Sequence, residues 1–207
     1  MRIGIAYNLK SDIENIIPRN LLMEDAFEEF DTEETIDAVA SAFEKNNHSV
    51  VRLGWGRKAI KRLLSQDIDF VFNMSEGFSG RNREAQMPSV LEMLEIPYSG
   101  SDPLTLSLTL DKVIAKQILK QNNIKAPDYF VVNKIQDLDR LPYGLKYPLF
   151  VKPAWEGSSK GIRQSSKALK KEELISYTRY ILENYPCQPV LIEHYIQGRE
   201  FTVGILG

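Results

Sequence analysis

The residues best suited to chemistry gather in positions 149–161, LFVKPAWEGSSKG. Three large apolar residues, Leu149, Phe150 and Val151, read as a short buried strand that ends at Lys152 and Pro153. The loop that follows, 156–161, holds Glu156, Gly157, Ser158, Ser159, Lys160 and Gly161. Small residues let backbone amides and hydroxyls close around an anion, and a lysine at a strand end adds a fixed positive charge. That chemistry suits phosphate. The ordered Gly-Lys-Ser/Thr ending of a Walker loop is absent. The competing reading is a Gly/Ser hairpin turn with a lysine on the surface.

Other polar residues stand at suggestive positions. Asp111 and Lys112 adjoin within a helix-forming segment. Positions 191–203 read as strand, tight turn and strand, with Glu193 and Glu200 seven residues apart. Positions 73–84, NMSEGFSGRNRE, form a polar loop with two glycines, and in it Arg81 and Arg83 could take a substrate carboxylate bidentately or simply lie on the surface. The acidic residues between Glu24 and Glu34 read as a solvated face. His194 reads as a surface or core histidine, and Cys187, the single cysteine, as a small core residue.

These residues need elements to hold them. Positions 2–7 alternate and are rich in isoleucine, as a strand is; 49–53 and 68–72 read as two more, the last continuous in apolar character like a parallel strand covered on both faces. Between them, Asp31 with Glu34 resembles a capping box opening a helix through Ile36, Val39, Ala40 and Phe43. Positions 56–66 form an amphipathic basic helix. Strand and helix alternating in this way imply right-handed crossovers and an open parallel α/β sheet, with ligands beyond the strand carboxyl ends near Asn8 and 73–80. Pro88 marks a further helix start, 96–98 a short fourth strand, and Asp102-Pro103 the start of helical structure running to about Asn122. Further along, 129–132, 149–151, 189–195 and 201–206 read as strands and 172–183 as a helix. The expected division is an α/β domain over 1–105 and an α+β region over 106–207, its central part to about 188 and a second part from 189. A chain that stops just after an apolar strand, FTVGILG, reads as a fragment of something longer.

Bulk properties exclude several classes. The 207 residues are 43% hydrophobic and 26% charged, with a net charge of −2. There is no basic field or aromatic-interleaved basic stripe for nucleic acid. One cysteine excludes a disulfide scaffold or cysteine-based zinc site within the chain. The amino terminus has no signal-peptide pattern and no apolar run approaches a membrane span, which points to the cytoplasm.

Four motifs in order carry a family resemblance. They are Ile96–Ser101 (IPYSGS), Asp111-Lys112, the VKP strand with its EGSS loop, and EHYIQGREFTV over 193–203. Together they resemble the D-alanine–D-alanine ligase family of ATP-grasp enzymes, from about Asp69 onward and more weakly before it. The resemblance implies a Rossmann-like pre-ATP-grasp domain followed by an ATP-grasp region that is incomplete at the carboxyl end. It implies ATP-dependent joining of a carboxylate to an amine through an acyl phosphate, in the service of peptidoglycan synthesis.

In that reading Lys112 and Lys152 meet the ATP phosphates. The loop of Glu156, Gly157, Ser158, Ser159 and Gly161 folds over the γ-phosphate, with the Ser158 hydroxyl among the groups at the chemical step. Glu193 with the backbone of Tyr195 and Ile196 reads the adenine, and Glu200 takes the ribose. Magnesium accompanies ATP, yet the family's metal-binding Asp, Glu and Asn have no counterpart before Gly207, so no metal ligand is assigned in this chain. Small amino acids are the other substrates, and the family analogy suggests a homodimer. The chain departs from the family pattern in two places. No glycine pair follows the first strand, where Glu14 could stand in for the glutamate that orients the first amino acid. After the third strand, Glu76, Arg81 and Arg83 stand where a histidine and an acidic turn are expected. A related ATP-grasp ligase for other amino acids or peptides, or a nucleotide-binding or interaction module without turnover, therefore stays open as an alternative.

Overall fold

The structure, a computed structural model, describes residues 1–14 and 23–205, the side chains of Ile13 and Glu14 excepted. The chain divides into two units: Met1–Ala115 with Trp155–Lys160, and Lys116–Ala154 with Gly161–Gly207.

The first unit is built on a three-stranded parallel sheet in the order β2-β1-β3, from β1 (Arg2–Ala6), β2 (Ser49–Gly54) and β3 (Phe70–Asn73). Successive β1 side chains leave opposite faces, and both faces are covered. Ile5, Tyr7 and Leu9 pack with Ile36 and Ala40 of α2 (Glu33–Lys45). Ala6, Leu53 and Val71 pack with Ala59 and Leu63 of α3 (Gly56–Ser65) and Met87 and Leu91 of α4 (Gln86–Met93). Each fully buried aliphatic side chain contributes about 1.5–3 kcal/mol. A Cβ on Gly4, on the second face, would sit 2.6 Å from Leu53 Cδ1, so any larger residue there would push the Leu53 side chain aside. A short helix, α1 (Lys10–Glu14), follows β1.

Three local expectations are corrected. Helix α2 is capped by Thr32, whose side chain accepts from the Thr35 amide at 3.4 Å, one residue beyond the expected Asp31. Asp31 is engaged instead in a parallel bridge with Leu9. The expected fourth strand is a single bridge between Val71 and Tyr98, because Pro97 has no N–H with which to extend the ladder. The helical stretch after Asp102 is two helices, α5 (Pro103–Leu110) and α6 (Lys112–Gln121). Asp111 adopts an extended conformation and accepts from the amides of Val113 and Ile114 through Oδ1, at 3.0 and 3.1 Å. A carboxylate that caps its own following residues breaks the helix where it sits.

The second unit holds a four-stranded antiparallel sheet in the order β4-β7-β5-β6. Its strands are β4 (Tyr129–Val132), β5 (Leu149–Pro153), β6 (Lys167–Ala168) and β7 (Val190–His194). Leu149, Val151, Val190, Ile192 and Val132 share one face by register and are fully buried. Helix α7 (Lys171–Asn184) contacts β5, β6 and β7 and buries Leu174, Tyr177, Thr178 and Ile181. Strand β7 is flanked by β4 and β5, so neither of its edges is open to a hairpin partner. Residues 201–205 accordingly form no strand, against expectation, and Phe201, Val203 and Ile205 are exposed. Residue 206 lies outside the described residues.

Candidate functional site

The sheet of the second unit has another face, and the register decides what stands on it. Phe150 pairs with Glu193, Lys152 with Leu191, and Tyr129 with Glu193, so Lys152, Glu193 and Tyr129 project from one side. Glu193 receives two ammonium groups there. Lys152 Nζ lies 2.5 Å from Oε1 and Lys116 Nζ 2.7 Å from Oε2. Lys116 also donates to the Pro127 carbonyl at 3.2 Å and stands 5.5 Å from the Tyr129 ring centroid. The side chains of Glu193 and Lys116 are each 10% exposed. At that burial a carboxylate needs its charge met, and two lysines meet it with one positive charge to spare. Lys116 was missed in the sequence. Its signal was its place four residues after Lys112, one turn along the same helix.

In the first unit the loop Trp155–Lys160 is held by side chains from distant parts of the chain. Arg83 Nη1 donates to the Trp155 carbonyl at 2.7 Å, and Nη2 pairs with Glu29 Oε1 at 2.7 Å. The Gly157 amide donates to the same Glu29 oxygen at 2.9 Å. Lys160 Nζ reaches Glu156 Oε2 at 2.9 Å and Glu29 Oε2 at 3.3 Å, and Lys112 Nζ donates to the Glu156 carbonyl. A Cβ on Gly157 would fall 2.7 Å from Glu29 Oε1 and 3.6 Å from Glu84 Oε1, so only glycine lets these carboxylates approach the backbone. Ser158 and Ser159 follow at φ +42° and +61°, exposed and in the left-handed region. This is a nest of donors closed around a carboxylate.

Glu29 corrects the reading of the acidic run as a solvated face: its side chain is 1% exposed. Phe27 and Phe30, set within that run, were the signal that part of it turns inward. The two arginines of the 73–84 loop each have a carboxylate partner within the chain. Arg83 pairs with Glu29, and Arg81 grips Asp111 Oδ2 through Nε and Nη2 at 2.7 and 2.6 Å. Asn8, 2% exposed at the end of β1, straps the loop through Oδ1, which accepts from the amides of Glu76 and Gly77. Burial pushes the Glu76 carboxyl up to about 7, with the charges of Glu84 and Glu29 adding to it. Burial raises Glu84 as well.

The remaining expected residues are placed as follows. The Tyr195 amide donates to the Pro148 carbonyl at 3.1 Å, and its ring packs near Phe150 with Lys167 Nζ 4.1 Å from its centroid. Ile196 and Glu200 are exposed beyond β7. The Gly161 carbonyl accepts from the Tyr177 hydroxyl at 3.0 Å. Glu14 closes α1, and its side chain lies outside the described residues. Among the described residues no group of three or more His, Cys, Asp or Glu side chains is placed to hold a metal ion.

Residues 118–207 match the family described as the D-ala D-ala ligase C-terminus. The chain is 37% identical over 165 residues to D-alanine--D-alanine ligase A of Bacillus cereus, covering 79% of this chain and 52% of that one. A solved D-alanine--D-alanine ligase from Bacillus anthracis superposes with a TM-score of 0.69 at 28% identity, over 96% of this chain and 58% of that one. In family model, sequence and structure alike, the chain is similar to D-alanine–D-alanine ligases. A Bacillus anthracis ligase solved in complex with ATP superposes with a TM-score of 0.67 at 27% identity, over 96% of this chain and 60% of that one. The family's combination of a parallel α/β sheet with an antiparallel one is the architecture seen here. The chain spans about half the length of the curated relatives it matches. Among the described residues no helix is long and apolar enough to cross a membrane.

Proposed function

We propose that this protein works as an ATP-dependent carboxylate–amine ligase of the D-alanine–D-alanine type and that the chain supplies its nucleotide-holding groups. The observation that carries the reading is the double-lysine grip on Glu193, on the sheet face opposite Leu149, Val151 and Ile192, in a chain with the family's motif order. ATP offers groups complementary to these. Its adenine amino group can donate to Glu193, and its phosphates can take Lys152 and Lys112 as point charges. Tyr195 and Ile196 offer backbone groups to the base edge, and Glu200 can accept from the ribose hydroxyls. The Gly157 amide, the Ser158 and Ser159 hydroxyls and Lys160 are the donors for the γ-phosphate.

A substrate carboxylate attacks that phosphate, the bond to the β–γ bridging oxygen breaks and ADP leaves, giving an acyl phosphate that an amine then opens with loss of phosphate. Stabilising the charge on the transferring group is the main catalytic task. Magnesium accompanies ATP in this proposal. The described residues offer no cluster to hold it, so no step is routed through the metal. We assign residues 1–105 to the pre-ATP-grasp domain and 106–207 to the ATP-grasp region, and place the protein in the cytoplasm as a homodimer.

Glu76, Arg81 and Arg83 depart from the family pattern, and both arginines are engaged by carboxylates of the chain. That favours, as a second reading, a ligase whose first amino acid is not D-alanine. Titration with a fluorescent adenine nucleotide tests the nucleotide role. Lys112→Ala with Lys152→Ala is expected to weaken binding about a hundredfold, because each lysine supplies one charge-assisted hydrogen bond to a phosphate. Undiminished affinity in a folded double variant overturns the reading.

A further inference from the structure

A cavity lies in the first unit, apart from the 155–160 loop. It has a volume of about 540 Å³ and is lined by Tyr7 and Leu9 after β1, Leu53–Gly56 at the end of β2, and Arg57, Lys58 and Arg62 of α3. Asp12 and Glu33 line it as well. The volume is that of a small-molecule site, and the place is the carboxyl end of two adjacent parallel strands, where open α/β sheets bind ligands.

Four features say what it would hold. Among the described residues Arg57 and Lys58 make no ion pair, although two carboxylates share the cavity with them. Helix α3 is ten residues long and opens on Trp55, which offers no side-chain cap, so its first amides point out without a side-chain acceptor. Gly54 and Gly56, at φ +71° and +66°, turn the backbone beside those amides, and nothing lies within 4 Å of a Cβ built on Gly56. Tyr7 is only 7% exposed, lines the cavity, and its hydroxyl has no hydrogen-bond partner among the described residues.

Free cations, uncapped amides and a hydroxyl with no partner among the described residues are all donors. We propose that this cavity is a binding site for a compact oxyanion, the carboxylate or phosphate group of a small metabolite. Arg57 and Lys58 supply the charge, the α3 amides the directed hydrogen bonds, and Tyr7 a donor from the floor. Trp55 supplies an apolar wall.

The test uses the indole N–H resonance of Trp55, assigned by comparison with Trp155→Phe, while the whole chain is titrated with inorganic phosphate and, separately, with succinate. A saturable shift with either probe is expected, and which probe works tells phosphate from carboxylate. Arg57→Ala with Lys58→Ala changes two exposed side chains and is expected to weaken that binding about tenfold or more. Tyr7→Phe is expected to weaken it less. Fluorescent-nucleotide affinity stays unchanged in these variants, which separates this site from the nucleotide reading. No saturable shift with either probe, or a shift indifferent to the Arg57/Lys58 change, overturns the proposal.

Discussion

Removing the Arg83 guanidinium would take the 2.7 Å ion-pair partner from a carboxylate that is 1% exposed, leaving it the Gly157 amide and the longer contact to Lys160. Arg83→Met is therefore expected to cost about 3–5 kcal/mol in a urea unfolding measurement at neutral pH. Glu29→Gln added to it should recover part of that loss, since an amide in the same place carries no charge; a further drop would show that the pair is not the cause. Glu76 gives a pH signature. Its carboxyl is raised from 4.5 to about 7, so the folded protein keeps a proton that the unfolded chain has released. Stability contributed by this group falls as pH rises across that window. Urea midpoints taken at a series of pH values should show the fall, and Glu76→Gln should flatten it. What the sequence hid at this scale is partnership across distance. Lys152 and Glu193 were legible because each ends or follows an apolar strand, whereas Glu29 meets Gly157 across 128 positions of chain.

Elements fail in their own ways. Gly77 turns the loop after β3 at φ +69°, and a Cβ there would lie 2.4 Å from the Arg83 carbonyl oxygen. Gly77→Ala is expected to cost at least about 2 kcal/mol, from left-handed strain plus a clash with backbone that cannot swing away. Asp111→Ala should remove the cap of α6 and the partner of Arg81 together, a loss of about 2–4 kcal/mol by thermal or urea unfolding. A change within experimental error would mean that water satisfies those amides. All the strands of the two sheets except the two-residue β6 were readable from apolar runs and alternation. The broken helix at Asp111 and the missing strand at 201–205 were not, because propensity does not register a competing cap or an occupied sheet edge.

At the scale of the molecule, each unit buries a core of its own: Ile5, Leu53 and Leu91 in the first, Val151, Ile181 and Ile192 in the second. Both tryptophans, Trp55 and Trp155, belong to the first unit. In urea, tryptophan fluorescence should therefore report that unit alone while far-ultraviolet circular dichroism reports both, and the two curves are expected not to coincide. Superimposable curves would show one cooperative block. The strand orders carry a consequence for synthesis. The first sheet is centred on β1, which leaves the ribosome before its neighbours, and its last strand ends at Asn73. In the second sheet β7 joins β4 to β5, and it is made last of the four strands. Nascent chains halted before Val190 would thus carry a β5–β6 pair and a β4 with nothing to join them, waiting as chaperone clients while the amino-terminal sheet already has all its strands.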